Sequence, residues 1–154
     1  MTTLDLVTEP RGQAYAGMLE LASEACASFS LVWRDQLSFH ASAQAIAADL
    51  APFLVRQERT AEWPGTQLLG HLATVRHYRL EPESLRVLKT AEGLYAWHAP
   101  ELPEDLALYT PDGMAWLTSI AHERDAWFLD APELETLLRE RLPRIHVVRS
   151  RRRG

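Results

Sequence analysis

A chain of 154 residues that is 47% hydrophobic and 24% charged, with a formal net charge of −5, has the make-up of one soluble domain with a core of ordinary size. The acidic balance argues against nucleic-acid binding by the body of the domain, and no stretch approaches the roughly 20 apolar residues that cross a bilayer. A single cysteine, Cys26, excludes an intramolecular disulfide and a cysteine-rich zinc site; together with an acidic N-terminus unlike a signal peptide, it leads us to expect a cytoplasmic protein.

Residues 1–11 read as an extended lead-in that ends at Thr8 and Pro10. From Gln13 to Ala27, Tyr15, Met18, Leu19, Ala22, Ala25 and Cys26 recur at helical spacing opposite Glu20 and Glu24, so a helix is predicted with Cys26 buried as a small apolar residue. Ser28 to Arg34 switches to a period of two, with Phe29, Leu31 and Trp33 on one side, the pattern of a half-buried strand. Ser42 is the expected cap of a second helix bearing Ile46, Leu50, Phe53 and Leu54, which Pro52 brings to an end. Val55 to Thr60 reads as extended, and Glu62-Trp63-Pro64-Gly65-Thr66 as a turn.

Leu68 to Leu80 is predicted as a long strand with His71, Val75, His77 and Arg79 on one face. Pro82 opens a third helix, with Leu85, Leu88 and Ala91 as its apolar stripe and Gly93 as its stop. Pro100 and Pro103 break up residues 94–104. The stretch Asp105 to Leu129 then carries the clearest hairpin signal, because Thr110-Pro111-Asp112-Gly113 has Pro and Gly where a type I turn wants them. Asp125 to Leu129 is a third strand or the end of that hairpin. Asp130 with Glu133 resembles a capping box for a last helix carrying Leu134, Leu137, Leu138 and Leu142, and a short strand follows at Ile145 to Val148. The expected architecture is a two-layer α+β domain spanning residues 1–148, with a largely antiparallel sheet and about four helices. Residues 149–154 read as a basic, disordered tail.

Candidate chemistry concentrates at His122-Glu123-Arg124-Asp125, where an imidazole with Glu123 or Asp125 has the groups for acid–base catalysis. In a strand, however, His122 and Glu123 would point to opposite faces, and a zinc-protease helix would need a second histidine where Ala126 stands. The competing role for Arg124 and Asp125 is a surface ion-pair network. His71, His77, His122 and Glu123 show no close metal-ligand spacing, and there is no phosphate loop or dinucleotide fingerprint, so no metal or other cofactor is expected. Trp33 and Trp116 read as core, whereas Trp63, Trp97 and Trp127, with Arg124, are the expected anchors of a binding face.

The segments Glu62-Trp63-Pro64-Gly65-Thr66, Tyr78-Arg79-Leu80 to Ser84, Leu94-Tyr95-Ala96-Trp97, and Pro103-Glu104-Asp105-Leu106 through His122-Glu123-Arg124-Asp125-Ala126-Trp127 resemble those of a family of small stand-alone bacterial proteins without an assigned activity. The resemblance covers about the C-terminal two-thirds of the chain and implies a bacterial origin and a self-contained domain, but no reaction. The leading functional expectation is therefore a small cytoplasmic protein-binding module, immunity- or regulator-like, whose partner is another protein. Self-association is left open, and any nucleic-acid contact is confined to the basic tail. The alternative is an acid–base hydrolase using His122 with Glu123 or Asp125.

Overall fold

Alternating side chains at Ser28–Arg34 form strand β2, which lies inside an eight-stranded sheet and serves both of its faces. The computed structural model describes residues 1–152. Among these the chain runs β1 (Thr2–Leu6), α1 (Gly12–Ala25), β2, α2 (Ala41–Leu50), β3 (Leu54–Thr60), β4 (Glu62–Trp63), β5 (Thr66–Gln67) and β6 (Ala73–Arg79). It continues with α3 (Pro82–Leu88), β7 (Glu104–Tyr109), β8 (Ala115–Ile120), β9 (Asp125–Leu129), α4 (Leu134–Arg141) and β10 (Val147–Arg151). The strand order is β10-β1-β9-β8-β7-β2-β6-β3, with every neighbouring pair antiparallel. The fold is α+β, with four α-helices among the described residues.

One face of the sheet is dry. Leu4, Phe29, Leu31, Tyr78, Leu106, Leu108, Leu117 and Phe128 join side chains from all four helices in a single core. Full burial of residues such as Phe29, Phe128 or Leu19 contributes about 1.5–3 kcal/mol each. Trp97, fully buried, donates its indole N–H to the Tyr15 hydroxyl at 2.9 Å, and that hydroxyl donates to the Leu88 carbonyl at 2.7 Å. This chain of bonds ties α1, α3 and the loop before β7 together without leaving a polar atom unpaired.

The other face is covered by the β4–β5 hairpin, under which Val32, Trp63, Ala73 and Val75 form a small second core. Gly65 makes the close approach: its φ is +85°, and a Cβ there would stand 3.0 Å from both Thr118 and Trp127. Among the described residues no helix is long and apolar enough to cross a membrane.

Several local expectations change. Residues 1–11 contain β1, a strand between β9 and β10. The strand expected over Leu68 to Leu80 starts only at Ala73, which leaves His71 outside it. Ser42 lies in the first turn of α2 and donates to the Glu101 carbonyl instead of capping. The Asp130–Glu133 capping box does not form, because Glu133 is itself the residue before α4 and sits at φ +70°. Instead, Ser84 accepts from the Glu81 N–H at 2.9 Å at the start of α3. Finally, Arg149 to Arg151 are not a tail: they belong to β10, paired residue by residue with β1. Residues 153 and 154 of the expected tail lie outside the described residues.

Candidate functional site

The hairpin-covered face holds a buried cluster of charges. In a regular strand Glu104 and Asp105 would point to opposite faces, but β7 bulges: Ser30 pairs with Ala107 and Val32 with Glu104, so one residue of β2 faces two of β7. Asp105 takes the left-handed conformation at φ +54°. The bulge brings both carboxylates within reach of Arg34 at the end of β2, with Arg34 Nε 3.7 Å from Glu104 and Nη2 3.8 Å from Asp105. Trp63 lies on this group from the hairpin, donating its indole N–H to Asp105 Oδ2 at 3.1 Å, with the Arg34 guanidinium 5.3 Å from its ring centre. The Ala121 N–H donates to Asp105 Oδ1 at 3.0 Å.

That last bond anchors a turn which changes the reading of His122. Residues Ala121–Glu123 form a single 3-10 turn between β8 and β9, and Arg124 closes it at φ +54°. Alternation is therefore broken, and His122 and Glu123 reach the same surface, with Nε2 and Oε1 3.9 Å apart and both side chains about half-exposed. Ligand atoms of Glu104, Asp105 and His122 all lie within 4.8 Å of one another, the one such trio of His, Cys and acidic groups among the described residues. His71 and His77 are not part of it.

Burial pushes the Glu104 carboxyl above its ordinary range, and the neighbouring Asp105 charge adds to this, while Arg34 pulls it back. Burial also raises Asp105, against the bonds from Ala121 and Trp63. Among the described residues Glu104 Oε2 makes no hydrogen bond, nor do Nε and Nη2 of Arg34, whose contacts exceed hydrogen-bond length.

Beside the turn opens a cleft of about 650 Å³ between the hairpin and the ends of β8 and β9, lined by Glu62, Gln67, Glu123, Asp125 and Trp127. Asp125 is engaged by an arginine. It accepts from Arg152 at 3.0 and 2.8 Å, while Arg152 also forks to Asp5 and lies 3.7 Å from the centre of the Trp127 ring. Burial raises the Asp5 carboxyl, but bonds from Thr3 and Arg152 more than offset it and hold it below its ordinary value. Glu62 and Glu123 have no Lys or Arg partner among the described residues.

The expected tryptophan anchors are redistributed. Trp97 is fully buried on the helix face and Trp63 is buried under the hairpin, so neither is exposed as expected; proline-bounded segments here fold inward because each indole finds an acceptor. Trp127, also buried at 8% exposure, borders the cleft through its contact with Arg152. Arg124 is spent on structure, 3.3 Å from the buried Glu9 carboxylate and 5.2 Å over the Tyr95 ring. Cys26 is buried against the helices, and burial pushes its thiol up to about 12. The adjacent Glu104-Asp105 pair escaped sequence reasoning; its one sign was two acidic residues opening an otherwise apolar strand. No family model matches the chain, and no curated protein or solved structure matches it.

Proposed function

We propose that this is a cytoplasmic protein-binding module, regulator- or immunity-like, whose acidic cleft receives a basic segment of a partner protein. The observation that carries the reading is the cleft beside the Ala121–Glu123 turn, where Glu62 and Glu123 have no Lys or Arg partner among the described residues and Trp127 lies at the wall. The way Arg152 is held there, on an indole and between two carboxylates, is the geometry a partner's arginine would use.

The test is binding of a synthetic arginine- and lysine-rich peptide, followed by fluorescence anisotropy at several salt concentrations. Joint Glu62→Lys and Glu123→Lys substitution should abolish binding, whereas Glu83→Lys with Glu140→Lys, the same charge change elsewhere, should leave it. Equal loss in both double variants would reduce the effect to net charge and end the reading.

A second reading, acid–base hydrolysis at His122, is favoured by the turn that brings His122 and Glu123 to one surface. A panel of carboxylic and phosphoric esters in which no turnover depends on His122 would remove it.

A further inference from the structure

We propose that Glu104, Asp105 and His122 bind one divalent transition-metal ion, a site separate from the acidic cleft and independent of what the cleft receives. Three features of the trio converge. First, the ligand atoms are within 4.8 Å of one another although they come from a bulged strand and a turn 17 residues on, so the fold and not local sequence assembles them. Second, the cluster is short of positive charge. Two carboxylates that are almost wholly inaccessible face a single guanidinium, and a buried carboxylate is costly unless something compensates it.

Third, Glu104 is only 3% exposed, yet its Oε2 has no hydrogen-bond partner among the described residues. Arg34 Nε stays 3.7 Å from the other oxygen of Glu104, Oε1, and Nη2 stays 3.8 Å from Asp105 Oδ2, close enough to neutralise and too far to bond. This is the arrangement of a supporting charge behind metal-ligating carboxylates, with the ligand atoms left over for a cation. The Trp63 and Ala121 N–H groups each use one lone pair of Asp105 and thereby orient the carboxylate, leaving the others for coordination. Asp105 also holds a left-handed backbone without being glycine, the kind of strain kept at sites where side-chain placement matters.

His122 forms the exposed side of the trio, so an ion would reach it from solvent past the imidazole and complete its shell with water. One imidazole nitrogen with two carboxylates suits zinc or manganese better than magnesium or calcium, which prefer oxygen alone. The competing occupant of the same charge deficit is a proton, held by Glu104 or shared with Asp105.

Zinc chloride titrated calorimetrically into chelator-treated protein at neutral pH distinguishes the two, with cobalt(II) absorption as a second readout and magnesium as comparison. The expected result is one zinc per chain, a rise in thermal midpoint with zinc, a cobalt spectrum from mixed nitrogen and oxygen ligands, and little response to magnesium. His122→Ala, at an exposed position that does not threaten folding, should weaken zinc by more than about tenfold. Glu104→Gln should do the same, while His71→Ala should change nothing. Absence of stoichiometric zinc binding, or unchanged binding in His122→Ala, overturns the proposal; Glu104→Gln raising the thermal midpoint of a protein that ignores zinc would identify the occupant as a proton.

Discussion

The two faces of the sheet are built on opposite principles. Under the helices, Phe29 stacks on Tyr78, Trp116 meets Phe128 edge-on, and even the buried Tyr15 and Trp97 polar atoms are satisfied. Under the hairpin, apolar burial is small, and Arg34, Glu104, Asp105 and Trp63 hold the cover in place through charge and a few directed bonds. The first face determines that the chain folds; the second leaves groups in reach of solvent, and it is where a ligand has something to bind. Stability comes from the face with the larger apolar core, and candidate function from the face that buries charges.

That contrast can be broken by mutation. The largest effect is expected for Trp97→Ala, which opens a cavity and takes from the Tyr15 hydroxyl its donor, leaving only its bond to Leu88: about 3–5 kcal/mol in urea unfolding. Asp105→Ala should cost about 3 kcal/mol, because two N–H groups lose a buried acceptor and Arg34 loses a nearby opposite charge. Its distinguishing sign is Trp63 fluorescence shifting to the red under conditions where the helix-face core, read by far-ultraviolet dichroism, is intact. If Trp97→Ala were the milder of the two, the assignment of stability to the helix face would be wrong.

Gly65→Ala should cost about 1–2 kcal/mol, since the residue needs a positive φ and its Cβ would press on Thr118 and Trp127. Faster amide exchange should be confined to the hairpin and the strands beneath it. The smallest effect is in pH dependence. Glu104 and Asp105 hold their protons more tightly folded than unfolded, so their contribution to stability is full below the ordinary carboxylate range and is lost as the pH rises through their raised values. Denaturation midpoints across that window should fall with rising pH, and Glu104→Gln should flatten the slope. His77, lowered by burial and by Arg56, has the opposite sign: its contribution is present above the ordinary histidine value and is lost as the pH falls.

Much of the helix face was legible because periodicity reports burial directly. Ser28 to Arg34 is a strand over the predicted residues, the helix predicted at Gln13 to Ala27 lies at Gly12–Ala25 with Cys26 buried beside it, and the turn at Thr110 to Gly113 joins β7 to β8. The site was not legible, for a physical reason. Its residues meet through departures from period two: the bulge at Asp105 and the 3-10 turn at Ala121–Glu123 each reverse the face on which a side chain emerges. A correct alternation argument thus set His122 and Glu123 apart, and the turn joins them. Trp63 and Trp97 went wrong differently, since neighbouring prolines suggest exposure but say nothing of an acceptor waiting in the interior.

The position of β1 has a consequence for how the molecule is made. Its partners on either side, β9 and β10, both lie far downstream of it in the chain, with Thr3 opposite Leu129 on one edge and Ser150 on the other. During synthesis β1 therefore waits with both edges unpaired and Leu4 and Leu6 uncovered until β9 and β10 have followed it. A long-range pairing of that kind slows folding and exposes strand edges to other chains. For this protein the interval of greatest vulnerability to aggregation lies within its own translation.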